Sequence, residues 1–470
     1  MKKYIFLILV GALILRVIAI NQSLWLDEAI GALVVKNQGL WQILTEFPKH
    51  DNHPPLYYLA LKVWSDMFGY SEIALRSLSV MFGVATVYIV FKIAKLFGNK
   101  YFPYLAALFL ATSPLHIYYS QEARMYSMAA FLASGAVYFF LKKGWVGFSI
   151  FLTSLVFTDY VPIFLIPAFW LWGVFKKENL GWWKSFILSQ VPALILGILW
   201  VPILLIQVQG GQWLLQNLPA WSRVAGGATV KQIGLVWSKF VLGRISFSDK
   251  PVQYLLTVLA SIPFAAALLV SYKNREKVLF FWHWFLIPLV AGFVISFWFP
   301  VFIYFRYLFV LPAFYLLVSW AITHLPARSA KLVTVGVISV NLIGWGIYVT
   351  QPSQQREQWR QAVAFVEGRL KGNERVIFSF TEPFAPYVWY ARDLSRARGA
   401  TDTIVASQEG AKLVTKKTVA DASGVYYFEY LWELHDPGRV VEESLIGEGF
   451  VNSSSFDFPG VGILKYYQKI

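Results

Sequence analysis

The sequence predicts an all-α, polytopic integral membrane protein with a small α/β domain at its C-terminal end. Of its 470 residues, 57% are apolar and 14% are charged, and the mean hydropathy is +0.54. Soluble globular proteins carry about 25% charged residues. Apolar runs also recur along the first three quarters of the chain, and a more polar segment follows them. Lipid is therefore the main solvent of the first part of this chain.

Apolar runs that cross a bilayer need about 20 residues, and the sequence contains about eleven candidates. They lie at 4–20, 73–97, 102–119, 125–141, 144–158, 160–175, 184–207, 252–272, 279–298, 301–323 and 330–350. The first run follows two lysines, as the apolar core of a signal peptide does. Because no small-residue cleavage site follows it, we interpret this run as a retained membrane helix.

Basic residues gather on alternate connections between these runs. They are Lys2 and Lys3, then Lys92, Lys95 and Lys100, then Lys142 and Lys143, then Lys176, Lys177 and Lys184, then Lys273, Arg275 and Lys277, then Arg328 and Lys331. The positive-inside rule places these connections and the N-terminus in the cytoplasm. Residues 21–72, 208–250 and 351–470 are then expected on the extracytoplasmic face of a plasma or inner membrane.

The polar tail is predicted to form a domain of its own. Strand-like stretches lie at 375–380, 424–428 and 461–467, and a helix-like stretch lies at 359–370. These patterns are typical of a small α/β fold. The chain thus divides into a transmembrane module, 1–350, and an extracytoplasmic α/β domain, 351–470.

Composition and motifs exclude several function classes. The net charge of +15 comes mostly from the connections between apolar runs, so it orients the protein in a membrane and does not indicate nucleic-acid binding. The chain has no cysteine, which excludes disulfides and thiolate sites. It has no P-loop, no G-x-S-x-G and no H-E-x-x-H motif, so the signatures of nucleotide binding, serine hydrolysis and zinc proteolysis are all missing.

The segment 21–72 holds the acidic residues that are best placed for chemistry. Asp27 and Glu28 come shortly after the first apolar run, and Asp51-Asn52-His53-Pro54-Pro55 comes before the second. Ordinary loop polarity, or an N-cap on an interfacial helix that begins near Leu26, would also account for the first pair. Adjacent residues on a helix point about 100° apart, so at most one of the pair can act as a base.

Four motifs follow one another within about the first 130 residues. They are Arg16 with Ser23-Leu24-Trp25-Leu26-Asp27-Glu28-Ala29, then Asp51-Asn52-His53-Pro54-Pro55-Leu56-Tyr57-Tyr58, then Arg76-Ser77-Leu78-Ser79, then Tyr119-Ser120-Gln121-Glu122-Ala123-Arg124-Met125-Tyr126. Shorter matches are Thr158-Asp159-Tyr160, Tyr304-Phe305-Arg306-Tyr307-Leu308 and Trp359-Arg360. In this order and spacing the sequence resembles the GT-C membrane glycosyltransferases of the protein-mannosyltransferase and aminoarabinose-transferase type, glycosyltransferase family 39.

The resemblance implies a GT-C-like fold and transfer of a hexosyl or pentosyl group from a polyprenyl-phosphate carrier. The acceptor would be a lipid, a glycan or a protein on the outer face of the membrane. On this hypothesis Asp27 is the catalytic base and Glu28 supports it. Direct displacement at the anomeric carbon places the base opposite the departing phosphate, so the transfer inverts the configuration of the sugar.

Further site residues follow from charge and position. Arg306 is a candidate for the carrier phosphate because guanidinium matches phosphate oxygens as a bidentate fork; snorkelling to lipid headgroups is the alternative. Glu122 and Arg124, in a turn between two apolar runs, would hold the first loop or the carrier phosphate, and plain solvation of a polar turn is the alternative. Asp159 lies in a short outer turn and is a candidate for the acceptor or for a metal shell.

The motif around Pro54-Pro55 supplies the remaining candidates, His53 and Tyr57 for the substrate site and Asp51 with His53 for a metal. Oxygen and imidazole ligands could hold a divalent ion that screens the phosphate. Some members of the family that the sequence resembles carry other residues at these two positions. Positioning of the substrate without a metal therefore stays open beside the metal hypothesis.

Three other functions remain to be separated from sugar transfer. A transporter or flippase for lipid-linked saccharides is also polytopic, but transporters concentrate charges and broken helices near the midplane. Here the charged residues gather at the predicted outer ends of the runs. An oligosaccharide ligase or polymerase on the same scaffold, and a non-catalytic relative that binds through its tail, are the other two.

Overall fold

The structure is a computed structural model that describes residues 2–218 and 220–470. Contacts between residues divide the chain into two compact units. The first contains residues up to Ile20 together with Gln38–Gln207 and Ala225–Gln354. The second contains Asn21–Asn37, Val208–Val224 and Gln355–Ile470.

In the described residues, all regular secondary structure of the first unit is helical. Its helices are Lys2–Val17, Leu40–Thr45, Leu56–Phe68, Glu72–Lys95, Phe102–Thr112, Pro114–Ser120, Tyr126–Leu141, Trp145–Val156, Ile166–Phe175, Leu180–Asn217 (which continues into the residues of the second unit), Val230–Leu242, Lys250–Lys273, Leu279–Ile295, Leu311–Ile322 and Ala327–Thr350. Short 3₁₀ turns lie at Phe47–Lys49, Val161–Leu165, Arg275–Val278, Tyr304–Val310 and Pro352–Gln354.

Across residues 2–218 and 220–470, six helical segments are long and apolar enough to cross a membrane. They are Glu72–Lys95, Leu180–Asn217, Lys250–Lys273, Arg275–Ile295, Tyr304–Ile322 and Ala327–Thr350. Shorter apolar helices of 10–17 residues are Phe102–Thr112, Tyr126–Leu141, Trp145–Val156 and Val161–Phe175. The chain is an integral membrane protein, as predicted, whereas the count of about eleven spans stays a prediction.

Helices occupy much of the two segments that are predicted as outer loops, 21–72 and 208–250. Leu180–Asn217 continues past the end of the apolar run at residue 207, and Val230–Leu242 follows within the second segment. Loss of apolarity ends a hydrophobic run, but it does not by itself end a helix, because backbone hydrogen bonds continue through polar residues. The amphipathic helix Leu56–Phe68 lies in the first segment for the same reason.

Leu311–Ile322 is the central helix of the first unit, and every one of its residues is buried. It is apolar on all sides, which is typical of a helix enclosed by other helices. A polar contact ties its surroundings together: Tyr315 Oη donates to Asn341 Oδ1 over 3.1 Å, and Asn341 Nδ2 donates to Phe109 O over 3.2 Å. By contrast, the side chains of Leu180–Asn217 are mostly exposed, as expected of a helix that faces lipid.

The second unit contains an α/β fold built on one mixed sheet. In the described residues its strands are β1 Arg375–Phe378, β2 Ala397–Gly399, β3 Gly424–Phe428, β4 Phe450–Phe458 and β5 Gly462–Lys469. The strand order is β2-β1-β3-β5-β4; β1 pairs in parallel with β2 and β3, and β5 pairs antiparallel with β3 and β4. The helices are Leu26–Asn37, Trp221–Ala225, Trp359–Glu367, Ala385–Tyr390, Gln408–Val419, Trp432–His435 and Val440–Gly447.

The predicted strands of the tail correspond to β1, β3 and β5, and the predicted helix corresponds to Trp359–Glu367. All five residues of β3 are buried, because apolar side chains cover both faces of the sheet. Trp359, Phe378 and Phe428 belong to the cluster on one face. Tyr427 and Leu445 belong to the cluster on the other face. The prediction of a small C-terminal α/β fold is confirmed.

Candidate active site

Five side chains from four segments of the first unit are connected by electrostatic interactions. We call Asp51, His53, Arg124, Asp159 and Arg306 the charged cluster. Asp51 interacts with His53 and Arg124. Asp159 interacts with His53, Arg306 and Arg124. The fold therefore brings together four segments that are far apart in the sequence.

Asp51 and His53 form a direct pair on the segment before Leu56–Phe68. Asp51 Oδ2 and His53 Nδ1 are 3.0 Å apart, and the two side chains are 18% and 16% exposed. Burial works to raise the pKa of Asp51, but the charge and hydrogen bond of His53, with the charge of Arg124, hold that pKa below its ordinary value. Asp51 is therefore a carboxylate kept ionised in a largely buried setting.

The backbone around this pair is fixed from two sides. Pro54 and Pro55 restrict the chain before the helix begins at Leu56, and Leu56 N donates to Phe157 O over 3.0 Å. Gln207 Nε2 donates to Pro48 O and His53 O over 2.9 and 3.1 Å. One amide side chain thus holds both ends of the segment that carries the pair.

Gln207 is itself held by a polar chain that sequence reasoning missed. Its Oε1 lies 2.5 Å from Tyr160 Oη, and Trp200 Nε1 donates to the same hydroxyl over 2.8 Å. The available signal was an amide at the end of a long apolar run, because polar residues in membrane helices tend to be functional or interhelical. The run at 184–207 predicts a simple membrane span, so the sequence alone does not indicate a role for Gln207.

The turn that carries Arg124 is anchored by its neighbours. Arg124 Nη1 donates to Tyr58 Oη over 2.9 Å, and Ser79 Oγ donates to Arg124 O over 3.4 Å. Gln121 Nε2 donates to Arg16 O over 2.8 Å. The motif residues at 119–126 therefore link the end of the first helix to Leu56–Phe68 and Glu72–Lys95.

Asp159 is almost fully buried, and its carboxylate faces the cations of the cluster. Burial raises the pKa of Asp159, while His53, Arg306, the N–H of Val161 and Arg124 oppose that rise. Asp159 Oδ1 accepts a hydrogen bond from Val161 N over 3.2 Å. Unlike Asp51, this acid lies in a setting that favours proton uptake.

Arg306 lies on the 3₁₀ turn Tyr304–Val310 and is half-buried. Aromatic rings fix this turn against the 119–126 segment: Phe305 lies 6.1 Å from Tyr119 and 5.2 Å from Tyr126 between ring centroids. The guanidinium is therefore presented by a packed element and remains partly accessible, which suits a ligand that brings its own negative charge.

A buried lysine, Lys239, lies close to the 3₁₀ turn that carries Arg306, and no sequence pattern indicates it. Lys239 Nζ donates to Arg244 O over 3.1 Å, Ile245 O over 2.5 Å and Ser246 Oγ over 2.7 Å, and it lies 5.9 Å from the ring centre of Tyr304. These bonds fix the turn that carries Arg244.

Glu122 and Tyr57, the two other candidates from these motifs, are both buried. Glu122 is 2% exposed and interacts electrostatically with Tyr119. Tyr57 is fully buried, and its hydroxyl lies 3.3 Å from Ser79 Oγ. Tyr57 therefore packs between two helices, while its neighbour Tyr58 reaches Arg124.

Asp27 and Glu28 belong to the second unit and occupy the first turn of Leu26–Asn37. Asp27 is half-buried, whereas Glu28 is fully buried. Asp27 lies within electrostatic range of the buried hydroxyl of Tyr430. The difference in exposure separates the two acids: Asp27 remains accessible to a substrate, and Glu28 does not.

The residues present offer limited support for a metal. Within residues 2–218 and 220–470, no group of three or more His, Asp or Glu side chains is arranged to hold a metal ion. Asp51 Oδ2 and His53 Nδ1 bond to each other, so a resident ion would be held through Asp51 Oδ1 and His53 Nε2 or would take the place of that bond. The divalent ion therefore stays a prediction.

An apolar groove of about 630 Å³ runs along the helix that follows the Asp51–His53 pair. It is lined by Leu40, Trp41, Leu44, Leu56, Leu59, Ala60, Val63, Trp64, Met67 and Leu78. Met67 and Trp41 are 69% and 73% exposed. One of its lining residues, Leu56, follows His53 by three positions in the sequence.

Comparison with solved structures shows the GT-C fold. ArnT, an aminoarabinose transferase from Cupriavidus metallidurans bound to undecaprenyl phosphate, matches with a TM-score of 0.61 at 10% identity, covering 100% of this chain and 98% of that chain. The Archaeoglobus fulgidus oligosaccharyltransferase tethered with an acceptor peptide matches with a TM-score of 0.55 at 13% identity, covering 100% and 74%.

The same archaeal enzyme, named AglB and in complex with an inhibitory peptide and a dolichol-phosphate, matches with a TM-score of 0.52 at 13% identity, covering 99% of this chain and 74% of that chain. No family model and no curated protein matches the sequence. All of these solved structures are GT-C glycosyltransferases, and the expected GT-C fold is confirmed.

Proposed function

We propose that this chain is an inverting glycosyltransferase that moves a sugar from a polyprenyl-phosphate carrier to an acceptor at the extracytoplasmic membrane surface. The observation that carries the proposal is the charged cluster, in which Arg124 and Arg306 accompany Asp51, His53 and Asp159. Cations of this kind at helix ends suit a lipid phosphate. The bound undecaprenyl phosphate of ArnT and the dolichol-phosphate of AglB support the same class of donor.

The apolar groove along Leu56–Phe68 supports a lipid-linked donor over a soluble one. An isoprenoid chain lying along Leu56–Phe68 would bury its apolar surface against Leu59, Val63 and Met67, which is favourable wherever water is displaced. In this proposal its phosphate binds at Arg306 and Arg124. The sequence contains no P-loop, a motif that binds the phosphates of a nucleotide.

In the proposed reaction the acceptor hydroxyl attacks the anomeric carbon of the sugar. The new carbon–oxygen bond forms as the bond from that carbon to the phosphate oxygen breaks. The proton of the hydroxyl passes to the carboxylate of Asp27, and polyprenyl phosphate leaves with the bonding electron pair. Attack opposite the leaving group inverts the anomeric centre, and Arg306 stabilises the negative charge on the phosphate.

Product analysis tests the proposal directly. Purified protein in lipid nanodiscs is incubated with a panel of polyprenyl-phosphate monosaccharides and candidate lipid, glycan and peptide acceptors, and mass spectrometry identifies the products. A new acceptor species with release of polyprenyl phosphate is expected, and Asp27→Asn is the negative control. Movement of intact donor between leaflets without any product would instead support the transporter hypothesis.

Transfer of a whole oligosaccharide is the second candidate, and the likeness to the archaeal oligosaccharyltransferase supports it. Donors that carry an oligosaccharide on the same lipid separate the two candidates. Product formed from an oligosaccharide donor and none from the monosaccharide donors would favour the second.

Chelation tests the metal prediction in the same assay. Turnover that is lost after dialysis against a chelator and restored by Mg²⁺ or Mn²⁺ would support an ion held by Asp51 and His53. Unchanged turnover would support the direct pairing of these two side chains.

A further inference from the structure

The second unit joins part of the first loop to the C-terminal α/β fold. Hydrogen bonds connect the two parts just before the helix Leu26–Asn37: Ser23 Oγ donates to Glu357 O over 2.7 Å, and Leu24 N donates to Tyr390 Oη over 2.7 Å. Leu24 is fully buried. A buried N–H is costly without an acceptor, and the tyrosine hydroxyl supplies one here.

Packing fixes the helix at both of its ends. Leu26, in the first turn, packs against the apolar cluster around Trp359 and Tyr430. Lys36, in the last turn, lies 5.0 Å from the ring centre of Trp389. The helix therefore has two anchors on the C-terminal part of the unit, and Asp27 lies beside the first of them.

The partly buried carboxylate of Glu357 organises the polar groups around Tyr430, which lies within electrostatic range of Asp27. Glu357 accepts a hydrogen bond from Trp359 Nε1 over 2.8 Å, and Tyr430 Oη donates to both of its oxygens over 3.1 Å. Burial, followed by the charges of Glu357 and Asp27, raises the pKa of Tyr430 well above its ordinary value. Tyr430 therefore stays neutral and keeps its proton directed at Glu357.

We infer that Tyr390 is a positioning residue for Asp27. The C-terminal α/β fold acts as a clamp, because it fixes the position of the segment that carries Asp27. The inference rests on the proposed function, in which Asp27 is the base. Tyr390 fixes the backbone at Leu24, two residues before the helix begins, and so fixes where the first helical turn starts. Its effect on the reaction passes through Asp27 and not through the donor.

Tyr390→Phe isolates this role, because it removes the acceptor oxygen and keeps the ring, which lies 5.7 Å from the Arg360 guanidinium. With the donor and acceptor found by product analysis, we expect kcat to fall about 5- to 50-fold while KM for the donor stays unchanged. Tyr466→Phe is the matched control, because it also loses one hydroxyl hydrogen bond, to Glu374, in the same fold. The control should keep kcat within about twofold.

A double variant shows whether Tyr390 acts through Asp27. If it does, Tyr390→Phe should not lower kcat further in an Asp27→Asn background. The effects of two substitutions that act through the same residue are not additive. The same fold-loss in both backgrounds would overturn the inference. Normal turnover in Asp27→Asn would contradict the base assignment in the proposed function, and the clamp would then be judged on structure alone.

Hydrogen–deuterium exchange provides that structural test without any substrate. In nanodiscs, amides of the peptide covering 22–30 should exchange at least about tenfold faster in Tyr390→Phe than in the unmodified protein. Tyr466→Phe should leave the exchange of this peptide unchanged. Unchanged exchange in Tyr390→Phe overturns the clamp whatever the activity data show.

Discussion

The carboxylates of Asp27 and Glu28 are neighbours in the sequence, but their surroundings separate their roles. Asp27 is half-buried, and Glu28 is fully buried. A general base must reach the hydroxyl that it deprotonates, so only the first of the pair meets this requirement. Burial of Glu28 suits a structural role in holding the helix.

Asp27→Asn is therefore expected to reduce turnover by a factor on the order of 10² to 10⁴ with donor binding retained, because the amide keeps the shape but accepts no proton. Glu28→Gln should cost less. Both variants are assayed for product and for thermal stability. A severe loss in Glu28→Gln with a nearly normal Asp27→Asn would reverse the two roles, and normal turnover in both would remove the pair from the mechanism.

Substitutions of Arg306 test the proposal that this residue binds the phosphate of the lipid carrier. Arg306→Lys keeps the charge but loses the bidentate fork, so donor affinity should fall several-fold, and Arg306→Ala should weaken it further. Binding of polyprenyl phosphate is measured by native mass spectrometry. Arg328, an exposed arginine at the start of Ala327–Thr350, provides the control as Arg328→Ala. Equal affinity in all variants would leave Arg306 as a snorkelling residue.

At the scale of elements, the helix Val230–Leu242 holds a buried charge near its end. Burial, with the charges of Arg244 and Lys250, lowers the pKa of Lys239 from 10.5 to about 7. Three oxygen acceptors surround its Nζ and match the three donors of an ammonium group. These hydrogen bonds stabilise the charged form, whereas burial and the neighbouring cations oppose it. Between about pH 7 and pH 10 the unfolded chain binds more protons at this site than the folded chain, and the site's contribution to stability rises with pH.

Lys239→Met removes this titration. The melting temperature of the unmodified protein minus that of Lys239→Met should therefore increase as the pH rises from about 7 to 10. Thermal unfolding in detergent at a series of pH values measures the difference. Lys277→Met, at an exposed position, should give a difference that does not change with pH. A difference for Lys239→Met that is also constant would contradict the assignment.

Local patterns predicted the elements that depend on local causes. Short stretches rich in β-branched and aromatic residues predicted β1, β3 and β5, and the motif at 119–126 predicted the turn that carries Arg124. β4, with polar residues at most positions of Phe450–Phe458, lacked the apolar signal because most of its side chains are exposed. Val230–Leu242 was missed because an amphipathic helix contains no continuous apolar run.

At the scale of the whole molecule, the features that escaped prediction are those that join distant segments. The sequence placed the charged residues at the ends of apolar runs, but nothing local indicated that Asn21–Asn37 would fold with residues beyond 354. Ser23 and Glu357 are separated by 334 positions, and no periodicity extends over such a distance. The polar link from Trp200 through Tyr160 to Gln207 is non-local for the same reason.

Orientation in the membrane is the remaining property of the whole molecule, and the alternation of basic residues predicts it. The chain contains no cysteine, so a single introduced thiol reports its own location. Ser353 and Lys143 are both exposed, and the predicted topology places the first outside and the second in the cytoplasm. In intact cells a membrane-impermeant thiol reagent should label Ser353→Cys and leave Lys143→Cys unlabelled, whereas both should react after permeabilisation. Labelling of position 143 and not of position 353 would invert the topology and place the proposed chemistry on the cytoplasmic face.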